Sequence, residues 1–433
     1  MSPRGRAVAT WAAFAVVHLW LAYVGVVLLP AESFHDVDLY RWWMYLGTAE
    51  GIWPVLDGPW VYPAGAIVPM LLPALGSATS TPAYAIGWCL LVTILDGLAV
   101  AALLRRGHRG ALGAAWWLAS LAALGPVAMG RLDGVVAPLM VAALLAAVDR
   151  PRVATALLTA GAWIKVAPGV LLLPLAVVTR RPLRDVVAPA AVVSGVVLAA
   201  VAAGGGLADV ASFLTTQSGR GLQVESVAAT PWVVAGALGG SGGMVQLNEA
   251  LVTWELTAPG TAATARALDV VLALSVGAAA GLMWWAGRRG RAGLALLPGC
   301  LLLLTLLVVV NKVGSPQYMS WLAPPVAALV ASRGSGRRRW VAVVAALVLG
   351  AAALTQVVFP WGYLDLLTGE PGVSLALAAR NVLLVALVAV AAVGLVQAGR
   401  EDEPDEPDES DEPIAVDGAG DSGVAGAGAA GTA

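Results

Sequence analysis

The chain has 433 residues, of which 59% are hydrophobic and only 12% charged, with a formal net charge of −2. Soluble domains carry about 25% charged residues, so roughly half the usual complement is missing and a soluble globular fold is excluded. The near-neutral balance conceals a basic body and a separate acidic stretch after Arg400.

Taken in chain order, apolar runs near 8–29, 82–104, 111–125, 130–148, 152–164, 167–179, 185–203, 266–286, 292–310, 316–332, 340–357 and 373–397 predict about twelve transmembrane helices. Runs near 18 residues are long enough to cross a hydrocarbon core as helix. The first follows Arg4 and Arg6 and is read as a retained span, because Pro30-Ala31-Glu32 makes a poor cleavage site. Residues 63–75 are apolar but short and interrupted by Pro69 and Pro73, so they read as a re-entrant or interfacial segment. Spans five and six are short, and Pro168 between them suggests a broken hairpin. The expectation is an all-α polytopic membrane domain over 1–400, followed at 401–433 by a tail that is acidic and then Gly/Ala-rich. Such a tail cannot bury enough apolar surface to order itself.

Arginine placement orients the helices. The groups Arg4/Arg6, Arg105/Arg106/Arg109, Arg150/Arg152, Arg180/Arg181/Arg184, Arg288/Arg289/Arg291, Arg333/Arg337/Arg338/Arg339 and Arg400 all fall on one side if residues 63–75 do not cross. The positive-inside rule makes that side the cytoplasm, with both termini there. Two connections, 30–62 and 204–265, then face outside. In the first, Leu39, Trp42, Trp43 and Leu46 recur at helical spacing, which predicts an amphipathic helix at the membrane surface. In the second, the glycine run at 239–243 lacks a following P-loop lysine and reads as flexible linker. No signature for nucleotide or nucleic acid accompanies it. Cys89 and Cys300 sit in apolar runs as small packing residues, and His18, His35 and His108 are too scattered for a metal site.

Charged and polar groups beside apolar spans are expensive, so their positions point to function. Of 25 basic residues only Lys165 and Lys312 are lysine, and both fall at outward turns. They either snorkel to the interface or present ammonium groups to an anionic ligand such as phosphate. Arg131 and Asp133 occupy another outward turn, as a local ion pair or as ligand contacts. Asp36 and Asp38 open the amphipathic helix, where carboxylates cap and compensate the dipole or act as a general base. Asp57 is a turn-former or a ligand. With Gln317 and Tyr318 these residues gather on the outer face.

The block from Asp36 to Pro73, with Asp36 four residues before Tyr40 and then Gly51, Asp57 and Tyr62-Pro63 in order, resembles the first external loop of GT-C polyprenyl-phosphate-dependent glycosyltransferases. It is most similar to glycosyltransferase family 87, the actinobacterial mannosyltransferase type. Segments around Arg131, Lys165 and Lys312 resemble later blocks of that family, and the likeness covers roughly residues 8–330. It departs at Ala64, where a second proline is expected, and at Arg131-Leu132-Asp133, which replaces a Gln-x-Asn-like pair.

The resemblance implies Asp36 as external acid/base, with Asp38 as its neighbour on the same turn. It also implies Lys165 and Lys312, with Arg131, as holders of the lipid phosphate. The expected substrate contacts are Tyr40, Asp57, Tyr62, Arg131, Asp133, Lys165, Lys312, Gln317 and Tyr318. The implied reaction is metal-independent and inverting, and moves mannose from a polyprenyl-phosphate donor to a glycolipid or glycan. It needs no cofactor beyond that donor, and its setting is a bacterial plasma membrane. A transporter or flippase is the alternative, although no internal repeat accompanies it. An enzyme that polymerises or ligates lipid-linked glycans shares the same architecture.

Overall fold

The computed structural model describes residues 2–249, 253–332 and 337–400, and the expected tail at 401–433 lies outside them. The chain is mostly helical. Its principal helices are α1 Pro3–Tyr23, α2 His35–Tyr45, α3 Ile67–Ala74, α4 Thr81–Leu104, α5 Gly107–Leu124, α6 Asp133–Ala146, α7 Pro151–Ile164, α8 Leu172–Val178, α9 Ala188–Ala203, α10 Thr230–Ala237, α11 Thr261–Ala286, α12 Ala292–Val309, α13 Met319–Ala331, α14 Arg338–Gln356 and α15 Pro371–Ala398. Several starts are written in the sequence. Ser2 and Ser80 accept from the N–H groups of Gly5 and Ala83, Glu370 accepts from Val373, and a proline follows each cap. Proline suits the first helical turn because its missing N–H would be unpaired there anyway.

Among the described residues, seven helices are long and apolar enough to cross a membrane: Pro3–Leu28, Thr81–Leu104, Gly107–Ala128, Leu183–Ala203, Thr261–Arg289, Arg338–Trp361 and Pro371–Ala398. The other expected spans form the shorter helices α6, α7, α8, α12 and α13. Position separates the two classes. The apolar windows of Leu183–Ala203 and Thr261–Arg289 are only 11% buried, leaving Val192, Val196 and Leu274 on the outside. An apolar surface of that extent suits lipid and not water. By contrast α13 is buried along nearly its whole length, packed against α5, α6, α12 and α14. A helix that is hydrophobic all round belongs at the centre. Gly113 on α5 lets the backbones approach, since a Cβ there would stand 2.9 Å from the Ala327 carbonyl oxygen.

One element was not expected. The connection 204–265 carries an antiparallel hairpin, β1 Met244–Asn248 with β2 Thr253–Thr257, in the register Met244↔Thr257 to Asn248↔Thr253. The glycine run read as linker is the turn that enters β1, with Gly239 and Gly243 at positive φ. Leu256 of β2 joins Leu222, Val224, Val233, Leu366 and Leu377 in a small second core, which seats this connection on α15.

The arginine-bearing connections meet at one end. Arg106 lies 3.8 Å from Asp149 and Arg152 3.0 Å from Asp185, while Gly287 lies against Val177 and Gly399 against Trp285. Asp133 and Asp149 bracket α6, so at 1.5 Å per residue the opposite end stands roughly 20 Å away. Residues 63–75 form a 3-10 turn and the short α3 beside α4, in keeping with a segment too short to span.

Candidate functional site

Four charged residues from three stretches of chain converge at the end opposite the arginine-bearing connections. Asp36 is the second residue of α2, Arg131 lies in the turn between α5 and α6, Asp133 starts α6, and Lys165 follows the last residue of α7. The Asp36 carboxylate lies 3.2 Å from Arg131 Nε, and the Asp133 Oδ2 lies 3.5 Å from Lys165 Nζ. Arg131 is 6% exposed and Asp133 wholly buried, whereas the Asp36 side chain keeps 25% of its surface.

The local chain explains these positions. Gly125, at φ 72°, ends α5 in a conformation that L side chains avoid. Gly130 lets the turn press against the connection from α1 to α2, because a Cβ there would stand 2.6 Å from the Phe34 ring and 2.8 Å from the Ser33 carbonyl oxygen. Arg131 is therefore delivered beneath that connection, where its Nη1 donates to the carbonyls of Ser33 and Gly130, each at 3.2 Å. Its guanidinium also stands 5.5 Å from the centre of the Phe359 ring.

Asp36 and Asp38 part company. Residues two apart on a helix point about 200° from each other, so both acids cannot face one partner. Asp38 accepts from Arg41 Nε and from Thr81 Oγ1, both at 2.7 Å, and so staples α2 to the start of α4. The Arg41 hydrogen bond holds the Asp38 carboxyl below its usual range. Of the two acids, only Asp36 joins Arg131.

Aromatic residues wall the site. Tyr40 is buried with its hydroxyl 3.4 Å from the Leu132 N–H, and its ring meets Tyr62 edge-on at 6.1 Å. Lys165 Nζ stands 4.9 Å above the Tyr62 ring. Trp321 donates its indole N–H to Asp133 Oδ1 at 2.6 Å and stacks on Tyr318 at 4.1 Å. Tyr40, Tyr62 and Tyr318 thus stand beside the charged cluster.

The remaining expected residues take other partners. Asp57 accepts from the Trp53 N–H at 2.7 Å while its own N–H donates back to the Trp53 carbonyl, the mark of a turn-former. Lys312 reaches Asp269 on α11 at 3.0 Å. Gln317 accepts a short hydrogen bond from Ser315. The two lysines thus meet different carboxylates, Lys165 that of Asp133 and Lys312 that of Asp269.

Sequence reading missed a second buried pair. Arg380, midway along α15, lies 3.0 Å from Glu225 of the outer connection, donates to the Glu225 carbonyl and to Asn381, and is 2% exposed. Asn381 donates in turn to Thr230 at 2.7 Å. The available signal was the Arg-Asn pair inside an otherwise apolar run, since a charge at such depth needs a partner. Trp321 was also missed, as its role appears only once Asp133 is placed beside it.

Chemically, the site offers a partly exposed carboxylate held by a buried arginine, beside a lysine with spare N–H donors. Lysine has three donors and arginine five, so both cations retain capacity for an anion after meeting their carboxylates. Comparison of the chain with protein-family models, with curated proteins and with solved structures finds no match to any of them.

Proposed function

We propose that this protein is a membrane glycosyltransferase that moves a hexose, mannose by the family resemblance, from a polyprenyl-phosphate donor to a glycolipid or envelope glycan. In this reading the chain crosses a bacterial plasma membrane about twelve times in a GT-C-like bundle. Both termini and the arginine-bearing end face the cytoplasm, and the charged site opens outside. The observation that carries the reading is the Asp36–Arg131 pair, a carboxylate with one face still accessible at the end away from the arginines.

The roles follow from that arrangement. The Asp36 carboxylate takes the proton of the acceptor hydroxyl as that oxygen bonds to the sugar's anomeric carbon from the face opposite the phosphate. The anomeric carbon–oxygen bond to phosphate breaks, and the polyprenyl phosphate leaves with the electron pair. Lys165 and Arg131 meet the charge on the departing phosphate. Arg131 also fixes the orientation of Asp36, and Asp133 with Trp321 holds Lys165 in place. The part-exposed Tyr62 supplies aromatic surface beside the sugar, and the buried Tyr40 backs it.

The test is transfer of radiolabelled mannose by membranes containing the protein, from polyprenyl-phosphomannose and, in parallel, from a nucleotide-linked mannose. Transfer from the lipid donor alone is the expected result. No transfer from either donor, across several sugars and acceptors, would sink the glycosyltransferase reading and leave the transporter or flippase.

A further inference from the structure

We propose that a second polar site, enclosed between α4, α5, α6, α13 and α14, binds one water molecule, held by Asp96, Trp117 and Ser320. These residues line a single cavity together with Gly134, Pro138 and Met319. About 10 Å³ of it is open to the centre of a water-sized sphere, close to what a single water needs.

The chemistry of the lining identifies the ligand. Asp96 Oδ1, Trp117 Nε1 and Ser320 Oγ are all buried; the Trp117 indole faces the Asp96 carboxylate, but among the described residues none of the three atoms makes a well-formed hydrogen bond. The other Asp96 oxygen is occupied, lying 3.1 Å from His18 Nε2, while His18 Nδ1 meets the Phe14 carbonyl at 2.9 Å. The backbone adds further demand. Pro138 lies four residues after Gly134, and Pro324 four residues after Ser320, within their respective helices. Neither proline has an N–H to give, so the carbonyls of Gly134 and Ser320 both lose their usual helical donor. Poorly satisfied side chains and two helical carbonyls short of their i+4 donor thus collect around one void, and broken helical backbone inside an apolar bundle is tolerated where it lines a hydrated cavity.

Water fits where a metal cation does not. The indole N–H of Trp117 can only donate, and a cation offers it nothing to donate to. A water accepts from Trp117, gives one hydrogen to Asp96 Oδ1 and the other to Ser320 Oγ or one of the freed carbonyls. Gly134 and Ser320 are the chain neighbours of Asp133 and Trp321, so this site lies directly behind the charged cluster. It would persist whatever reaction that cluster performs.

Radiolytic hydroxyl-radical footprinting of the whole protein in nanodiscs tests this, because a trapped water generates radicals where it sits. Trp88 is the internal reference, equally buried but with its indole N–H already donated to the Met129 carbonyl at 2.8 Å. Trp117 and Met319 should oxidise several-fold faster than Trp88, with incorporation of label from ¹⁸O water. Ser320→Val, which fills the void, should bring Trp117 down to the Trp88 rate. Should that variant fail to fold, the wild-type comparison decides alone. Equal protection of Trp117, Met319 and Trp88 in the wild type would mean a dry cavity and overturn the proposal. A melting temperature raised by sodium but not by choline, and lost in Ser320→Val, would make the ligand a cation and overturn it equally.

Discussion

The two ends of the helical body handle charge in opposite ways. At the arginine-bearing end the ion pairs are open to solvent, with Arg106 45% and Asp149 73% exposed, and Arg152 half exposed. At the other end Arg131, Asp133 and Lys165 are drawn under the chain and meet carboxylates or indole in fixed geometry. Exposed pairs contribute about 0–1 kcal/mol, because water competes for both partners and long side chains lose entropy. Buried pairs contribute little net stability either, yet removing one partner costs about 3–5 kcal/mol because a charge is stranded. The pairs at the arginine-bearing end therefore stabilise little, while at the opposite end each buried charge depends on its partner.

That contrast can be broken most forcefully at Asp133. Asp133→Ala strands the Lys165 ammonium and the Trp321 N–H, and should lower stability by about 3–5 kcal/mol, read as a fall in melting temperature in detergent. A loss no larger than for a surface residue would mean that water reaches the pair. Gly130→Ala probes the same end without touching a charge. Its Cβ must displace the Phe34 ring or the Ser33 backbone, at a cost of about 1–3 kcal/mol by overpacking. An unchanged melting temperature would show that the Arg131 turn is not held against that connection.

Asp38→Asn should cost only about 0.5 kcal/mol, since the staple it makes with Arg41 and Thr81 is partly exposed. Because Arg41 lowers the folded-state value, this contribution is present above about pH 4. It disappears as the pH falls through the lowered value. Melting temperatures of wild type and Asp38→Asn should therefore converge in acid, and a difference that widens there would contradict the assignment. Arg152→Ala at the arginine-bearing end is expected to have the smallest effect, about 0.5 kcal/mol or less, diminishing further with added salt.

Much of this was legible in the sequence, for a physical reason. Long apolar runs in a charge-poor chain have few alternatives to membrane-type helices, and seven of the expected spans are long enough to cross. Lys165, Arg131 and Asp133 stood out because ionisable groups beside apolar spans are rare. What stayed hidden depends on partners distant in sequence. Asp36 and Asp38 share one helical turn and differ only in that Arg131 lies 95 residues from one and Thr81 43 residues from the other. The Glu225–Arg380 contact spans 155 residues and His18–Asp96 78, so neither carries a local signal. The hairpin was obscure because its strands are only five residues each, and although Val245/Leu247 and Trp254/Leu256 alternate, only Leu256 among them is buried. Its stability comes from the second core and not from its own pattern.

If the proposed reaction runs at the Arg131 cluster, Asp36 and not Asp38 is its base, and comparing Asp36→Asn with Asp38→Asn at matched protein level in the lipid-donor mannose-transfer assay tests this most directly. Asp36→Asn should lose about 10²–10⁴-fold, the usual weight of a general base, with near-normal transfer by Asp38→Asn. Full activity in Asp36→Asn, or a loss confined to Asp38→Asn, would contradict it.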